Sequence, residues 1–252
     1  KSFTKLPLRK RRKRQPMRNV NTIFQREIMS YFYSPIAYVV ISVFLIAAGF
    51  FFAGNLQIHQ EASLKGSLDS TQFFLLLLTP VITMKLFSDE TKSGTMETLM
   101  TSPVTDFDVV FGKFLAALSL YAVMILPTWV YVIFLTIFGN PDFGPIFSSY
   151  IGLMLMGGLF VSVGLLVSSL TKNQVVAAVI GIVSLIILWV IGYLSEYGDG
   201  WFYEALRYIG TYDHWASFTK GIVDTRDVIY YLSFTALLLF ITVRNVESRK
   251  WR

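Results

Sequence analysis

The charged stretch of residues 85–113 carries the side chains best suited to contact with another molecule. Met96, Leu99 and Met100 have the i, i+3, i+4 spacing that puts side chains on one face of a helix. A helix this short is unstable alone in water, because nucleation is unfavourable and few hydrogen bonds follow it. The pattern therefore predicts a short amphipathic helix whose apolar face rests either on a partner protein or on the chain's own membrane helices.

The sequence lacks the residue patterns that catalysis and metal binding need. It has no G-x-x-x-x-G-K-S/T loop for nucleotide phosphates and no G-x-S-x-G motif for a serine hydrolase. Two histidines and no cysteine argue against a zinc site. Charged residues are missing from the centre of every long apolar block, which argues against ion-coupled transport. We expect a chain without catalytic activity, metal or cofactor of its own.

The elements that carry the charged stretch are long apolar blocks. Hydrophobic residues make up 54% of the chain and charged residues 15%, which predicts an all-α integral membrane protein. A helix needs roughly 20 residues to cross the hydrocarbon core, and the second and sixth blocks are short by that measure. Pro80 and Pro127 are expected to kink the second and third spans. The six predicted spans are residues 36–54, 70–86, 114–138, 146–170, 174–195 and 228–243.

The distribution of lysine and arginine predicts the orientation of these spans. Ten basic residues lie at or before Arg26 and four lie after the last block. Basic flanks favour the cytoplasmic side, so both termini are expected there and the number of spans must be even. With six spans, eighteen basic residues fall inside and four outside. We expect a multi-pass protein of the bacterial inner membrane.

The N-terminal region divides into two parts. Residues 1–16 contain eight basic residues and are either a disordered cytoplasmic arm drawn to anionic lipid or an extension outside the functional protein. The run has no interleaved aromatic residues, which argues against nucleic-acid binding. Residues 17–252 are predicted to form one domain. Within it, Thr22 and Gln25 have the form of a capping box and predict an interfacial amphipathic helix that ends at Pro35. The alternative is one long first span beginning near Ile28.

The connection between the fifth and sixth predicted spans, residues 196–227, is rich in tryptophan and tyrosine. These residue types favour the membrane interface. Trp201, Ala205 and Tyr208 share one helical face, which predicts an interfacial helix or a helical hairpin on the outer side. Asp213 and His214 either contact a substrate or make local hydrogen bonds that hold this connection.

Several segments resemble, in order, an ABC-2 type transporter permease. They are REIMSYFYSP, FSDETKSGTMETLMTSPVTDFDVVFGK, LTKNQ, SFTKGIVDTRDVIYYLSF and VESRKWR. The resemblance covers nearly all of residues 17–252. Within the family, the chain is similar in particular to the permeases grouped with gliding-motility and copper-maturation systems. It implies six spans per subunit, with re-entrant outer helices between the fifth and sixth.

The resemblance also implies site residues. Residues 94–102, here termed the coupling segment, would form a cytoplasmic coupling helix that docks on an ATPase. Its residues are Gly94, Thr95, Met96, Glu97, Thr98, Leu99, Met100, Thr101 and Ser102. A lesser contact is implied at Thr171, Lys172 and Asn173. In the N-terminal helix, Glu27 matches the acidic position common in the family, and the neighbouring Arg26 belongs to the same predicted site.

The implied function is that of a permease subunit in an exporter. The implied partners are two copies of a cytoplasmic ABC ATPase, which carry the ATP and Mg²⁺, and a second permease subunit that is identical or related. Membrane lipids and a periplasmic accessory protein complete the expected surroundings. A membrane scaffold that uses the same ATPase for mechanical work remains the alternative, and the substrate stays open.

Overall fold

The computed structural model describes residues 16–59, 63–95, 104–194, 197–198 and 200–248. These residues form helices joined by short connections, and no strand occurs among them. The helices are α1 (Pro16–Tyr33), α2 (Pro35–His59), α3 (Lys65–Thr83), α4 (Lys85–Ser93), α5 (Asp106–Ile125), α6 (Trp129–Phe138), α7 (Phe143–Leu170), α8 (Gln174–Leu194), α9 (Trp201–Ile209), α10 (Thr211–Thr219) and α11 (Thr225–Ser248).

Six helical segments in the described ranges are long and apolar enough to cross a membrane, as predicted. They are Pro35–Ile58, Lys65–Ser93, Asp106–Phe138, Phe143–Leu170, Gln174–Leu194 and Thr225–Ser248. The second span combines α3 and α4, and the third combines α5 and α6 through a single 3-10 turn at Leu126–Thr128 that contains Pro127. The chain is therefore an all-α integral membrane protein.

The second and third spans extend well beyond their predicted apolar blocks. The second runs over 29 residues rather than the 17 of residues 70–86, and its first turns contain the buried polar residues Ser67, Thr71 and Gln72. These side chains face protein rather than lipid, so the helix tolerates them. The third span starts at Asp106 instead of residue 114, because Thr105 caps it with a reciprocal hydrogen bond to Asp108.

Helix α1 is separate from the first span, and the alternative of one long helix is wrong. The chain bends at Ser34, directly before Pro35, where a helical geometry is disfavoured. α1 packs along α5 at a point of close approach: a Cβ on Gly112 would lie 2.9 Å from Ile23 Cγ2. The N-terminal helix is thus held against the third span.

Helix α7 is the centre of the bundle. It packs against α3, α4, α5, α8, α10 and α11. In its most apolar stretch 78% of the residues are buried, compared with 22% in α2 and α8. The outer helices therefore present apolar side chains to lipid while α7 is enclosed by protein.

Since the six spans alternate in direction, α1, the α4–α5 connection, the α7–α8 turn and the C-terminal end of α11 share one end of the bundle, here called the proximal end. A contact across this end supports the arrangement: Asn245 Nδ2 donates to Ser169 O at 3.1 Å.

In the connection between α8 and α11, where the sequence predicts an interfacial helix or a helical hairpin, the structure has two consecutive short helices, α9 and α10. His214 lies on α10, and its Nδ1 is 2.7 Å from Asp227 Oδ1 on α11. Its Nε2 faces Tyr208 O at 3.3 Å, and Asp213 pairs with Arg207. His214 is thus engaged in local contacts that join α9 and α10 to the last span.

Candidate functional site

The charged residues of the proximal end come from three helices that are far apart in sequence. Lys113 Nζ on α5 lies 3.1 Å from Glu27 Oε1 on α1 and 2.9 Å from Glu90 Oε1 on α4. Arg26 Nη2 lies 2.7 Å and 2.9 Å from the same two oxygen atoms. These four residues, here called the charged cluster, join α1, α4 and α5 through two shared carboxylates.

Lys113 is the buried centre of the charged cluster. Its side chain is 1% exposed, whereas that of Arg26 is 55% exposed. Lys113 Nζ also donates to Leu86 O at 2.7 Å and lies 5.2 Å from the centre of the Phe87 ring. A buried ammonium group is costly unless it is paired and hydrogen-bonded. Lys113 therefore fixes α5 to the first turn of α4.

The charges also determine the protonation states on α1. Burial alone would raise the pKa of the Glu27 carboxyl, but the charges of Lys113 and Arg26 and their hydrogen bonds hold that pKa below its usual value. Burial, followed by the charge of Glu27, raises the pKa of the Tyr31 phenol well above its ordinary value. Glu27 is therefore ionised, and the Tyr31 hydroxyl keeps its proton and donates to Ile82 O at 2.7 Å.

The second span is interrupted where it enters the proximal end. α3 ends at Thr83 and α4 begins at Lys85. Met84 between them keeps helical dihedral angles, φ −52° and ψ −36°, and donates its N–H to Pro80 O at 2.9 Å. Ser168 on α7 fills this interruption: its Oγ accepts from the N–H groups of Phe87 at 3.1 Å and Ser88 at 3.2 Å and donates to Met84 O at 2.8 Å. A foreign hydroxyl in a helical ladder is a recognised cause of kinks.

The last turns of α4 are tied to the turn between α7 and α8. Gln174 Nε2 donates to Asp89 Oδ1. Within that turn, Asn173 Oδ1 accepts from Val175 N at 2.9 Å, and Asn173 N donates to Thr171 Oγ1 at 3.1 Å. The structure thus brings the predicted lesser contact beside the helix that leads into the coupling segment.

Residues 19–204, from α1 into α9, match the family model described as ABC-2 family transporter protein. The chain belongs to the ABC-2 transporter family. It is therefore a multi-pass membrane permease component, and such components generally partner with an ABC ATPase. No curated protein matches this ABC-2 permease.

The coupling segment of this ABC-2 permease lies mostly outside the described residues. Gly94 has φ +73°, a left-handed conformation that suits glycine, and it ends α4. Thr95 is exposed, and its Oγ1 lies 2.8 Å from Ser93 Oγ. The structure does not describe Met96, Glu97, Thr98, Leu99, Met100, Thr101 or Ser102. The basic arm of residues 1–15 lies outside the described ranges as well.

Both described flanks of the coupling segment are anchored. On one side α4 contacts the charged cluster, Ser168 and Gln174. On the other side Thr105 caps α5. Sequence reasoning identified Glu27 but missed its partners Glu90 and Lys113, and it missed Ser168. Lys113 carried one signal, because it follows the capping box by only a few residues and so belongs inside a helix.

Within the residues that the structure describes, no group of three or more His, Asp or Glu side chains is placed to hold a metal ion. The two carboxylates of the charged cluster face lysine and arginine. What the arrangement provides is a set of ionic and hydrogen bonds that link α4 to α1, α5, α7 and α8.

Proposed function

We propose that this ABC-2 permease couples the ATPase cycle of a separate cytoplasmic subunit to export, and that the ATPase docks on the coupling segment. The observation that carries the proposal is the anchoring of α4 just before that segment. Over a single short helix, ionic and hydrogen bonds reach α1, α5, α7 and α8. A force applied to residues 94–102 would therefore be shared among most of the bundle.

The mechanism follows from that connectivity. Closure of two ATPase subunits on ATP would pull the coupling segment, and α4 would transmit the displacement to α1 and α5 through Glu90. Packed interfaces of this kind switch between discrete arrangements instead of deforming continuously. The chain has no nucleotide loop, so the energy comes from differential binding by the partner.

The proposed assembly contains two copies of this ATPase and a second permease subunit, identical or related. The excess of basic residues at the proximal end supports an orientation with both termini in the cytoplasm of a bacterial inner membrane. Likeness to the gliding-motility and copper-maturation permeases rests on SDETKSGTMETLMTSPV and KGIVDTRDVIYY, and it is part of the proposal.

The docking proposal is tested by Leu99→Asp, with Thr98→Asp as the matched control off the apolar face. A charge placed in a docking hot spot costs at least about 2 kcal/mol, so ATPase binding should weaken roughly 30-fold or more. The measurement is permease-stimulated ATPase activity in the reconstituted complex with the co-purifying ATPase. Thr98→Asp should keep most of that stimulation, and both variants should retain the melting temperature of the isolated permease.

Full stimulation in the Leu99→Asp variant would contradict the docking assignment. So would modification of Thr95→Cys by an impermeant maleimide from outside the cell, since the natural chain has no cysteine to confuse the result. An intact ATPase response without movement of any substrate in vesicle assays would instead favour the mechanical scaffold.

A further inference from the structure

The interruption of the second span at Met84 separates two halves that are held in different ways. The half before Met84 is gripped by glycine contacts: a Cβ on Gly164 would lie 2.9 Å from Thr83 Cβ, and one on Gly181 would lie 2.9 Å from Pro80 Cβ. Close backbone approach of this kind is the usual basis of tight helix packing in membranes. The α3 half is therefore fixed to α7 and α8.

The half after Met84 depends on polar links. Its first turn is buried at Leu86 and Phe87, but from Asp89 onward the side chains are partly or fully exposed. Asp89 and Glu90 hold this half through hydrogen bonds and ion pairs with α8, α1 and α5. Polar links of this type can exchange with water at the membrane surface, whereas the glycine contacts cannot.

The boundary between the halves is occupied by hydroxyl groups from two other helices. Ser168 Oγ binds the amides of Phe87 and Ser88 and the carbonyl of Met84. The Tyr31 hydroxyl binds Ile82 O at 2.7 Å, and both side chains are buried. Buried backbone groups need partners, and these hydroxyls supply them together with Ser88 Oγ, which also donates to Met84 O, and Lys113 Nζ, which donates to Leu86 O.

We infer that Met84 is the hinge of the second span and that Ser168, with Tyr31, is the latch that holds it open. When the latch is engaged, α4 is set off from α3. When it is released, the backbone groups around Met84 pair with one another and α3 and α4 become one continuous helix. This inference rests on the proposed function, because it names the joint through which movement of the coupling segment would reach the membrane.

The size of the movement follows from helix geometry. Lys92 lies eight residues beyond Met84, so the lever is roughly 12 Å long at about 1.5 Å per residue. Over a lever of that length, a change of about 20° in the angle between α3 and α4 corresponds to a displacement of roughly 4 Å at the end of α4.

The test uses spin labels on introduced cysteines, since the natural chain has none. The first pair, Lys92→Cys with Arg244→Cys, reports on α4, and the reference pair, Val175→Cys with Arg244→Cys, does not include α4. Electron paramagnetic resonance distances are measured for the isolated permease in nanodiscs without any ATPase. The hinge can therefore be tested even if the docking proposal fails.

The deciding variant is Ser168→Ala, with Ser162→Ala as control. Ser162 is an equally buried hydroxyl of α7 that donates to Leu159 O of its own helix at 2.7 Å. We expect Ser168→Ala to shift the first distance by roughly 4 Å and leave the reference distance unchanged. Ser168→Thr, which keeps a hydroxyl, should restore the original distance, and Ser162→Ala should leave it unchanged.

An unchanged first distance in Ser168→Ala would overturn the inference, as would equal shifts in Ser168→Ala and Ser162→Ala. If Ser168→Ala fails to fold, Tyr31→Phe takes its place, because it removes one hydroxyl and keeps the ring. A shift confined to the first pair then supports the latch, and the absence of a shift overturns it.

Discussion

Replacement of Lys113 by methionine tests whether the charged cluster stabilises the proximal end. The change keeps most of the side-chain volume and removes only the ammonium group. It leaves Glu27 Oε1, Glu90 Oε1 and Leu86 O without the donor that each now has at 3.1 Å, 2.9 Å and 2.7 Å. Glu90 Oε2 is already buried without a hydrogen-bond partner, so Arg26 Nη2, 2.9 Å from Glu90 Oε1, would be the charged partner left to this carboxylate.

The expected loss is a few kcal/mol. Removing one partner of a buried ion pair costs roughly 3–5 kcal/mol. Glu27 and Glu90 remain 12% and 16% exposed, and Arg26 still lies between them, so water and arginine recover part of the loss. We therefore expect destabilisation of about 2–3 kcal/mol. At about 2–4 °C per kcal/mol for a chain of this size, the melting temperature falls by roughly 4–12 °C.

The assay is thermal unfolding of the detergent-solubilised permease, with Lys92→Met as the control for loss of an exposed positive charge from α4. A second comparison uses Glu90→Gln, alone and combined with Lys113→Met. The stability effects of substitutions within one ionic network are not additive. The double variant should therefore melt at a higher temperature than the sum of the two single effects predicts. A Lys113→Met protein that melts within 1 °C or so of the natural chain, or no lower than Lys92→Met, would refute the reasoning.

Two further predictions concern packing and pH. Gly164→Ala should destabilise the permease by about 1–3 kcal/mol, because its methyl group would press on Thr83. The control Gly54→Ala should not destabilise it, because no atom lies within 4 Å of that Cβ position. Differential scanning fluorimetry measures the melting temperatures of both variants. Burial raises the pKa of Glu27, but the charges of Lys113 and Arg26 outweigh burial and lower that pKa below its ordinary value of 4.5. Ionised Glu27 therefore stabilises the fold fully above pH 4.5, and this stabilisation is lost as the pH falls through the lowered pKa. When the melting temperature is measured at decreasing pH from 7, the natural chain should lose stability once the pH is below 4.5. The Glu27→Gln variant should lack this part of the pH dependence, and parallel curves for the two proteins would count against the prediction.

The number and order of the spans were predictable because bilayer thickness imposes a minimum apolar length on each of them. The ends of the spans were not. Ser67 and Thr71 lie within the second span because α3 buries them against protein, and hydropathy cannot distinguish a buried polar residue from one in a loop. Lys113 was counted among the cytoplasmic charges, although it lies inside α5 and is almost fully enclosed.

The charged cluster and the Ser168 contact could not be predicted from the sequence for a related reason. Glu27, Glu90 and Lys113 are separated by dozens of residues, and nothing in a single sequence indicates which side chains meet across helices. Ser168 lies in the fourth predicted span, and nothing in the sequence indicates that its hydroxyl bonds to the backbone around Met84. Local patterns were no surer guide to helix starts: Thr22 and Gln25 have the form of a capping box but lie inside α1, which begins at Pro16, and the cap at Thr105 was not predicted.

The enclosed position of α7 also governs the order in which the bundle can be completed during synthesis. Three spans leave the ribosome before α7 does, and domains fold progressively from the N-terminus. Until α7 is inserted, the amides of Phe87 and Ser88 have no Ser168, and the surface around Thr83 has no glycine opposite it. These groups of the first three spans therefore gain their partners only with the fourth span, and α7 itself is enclosed only once α8, α10 and α11 have followed.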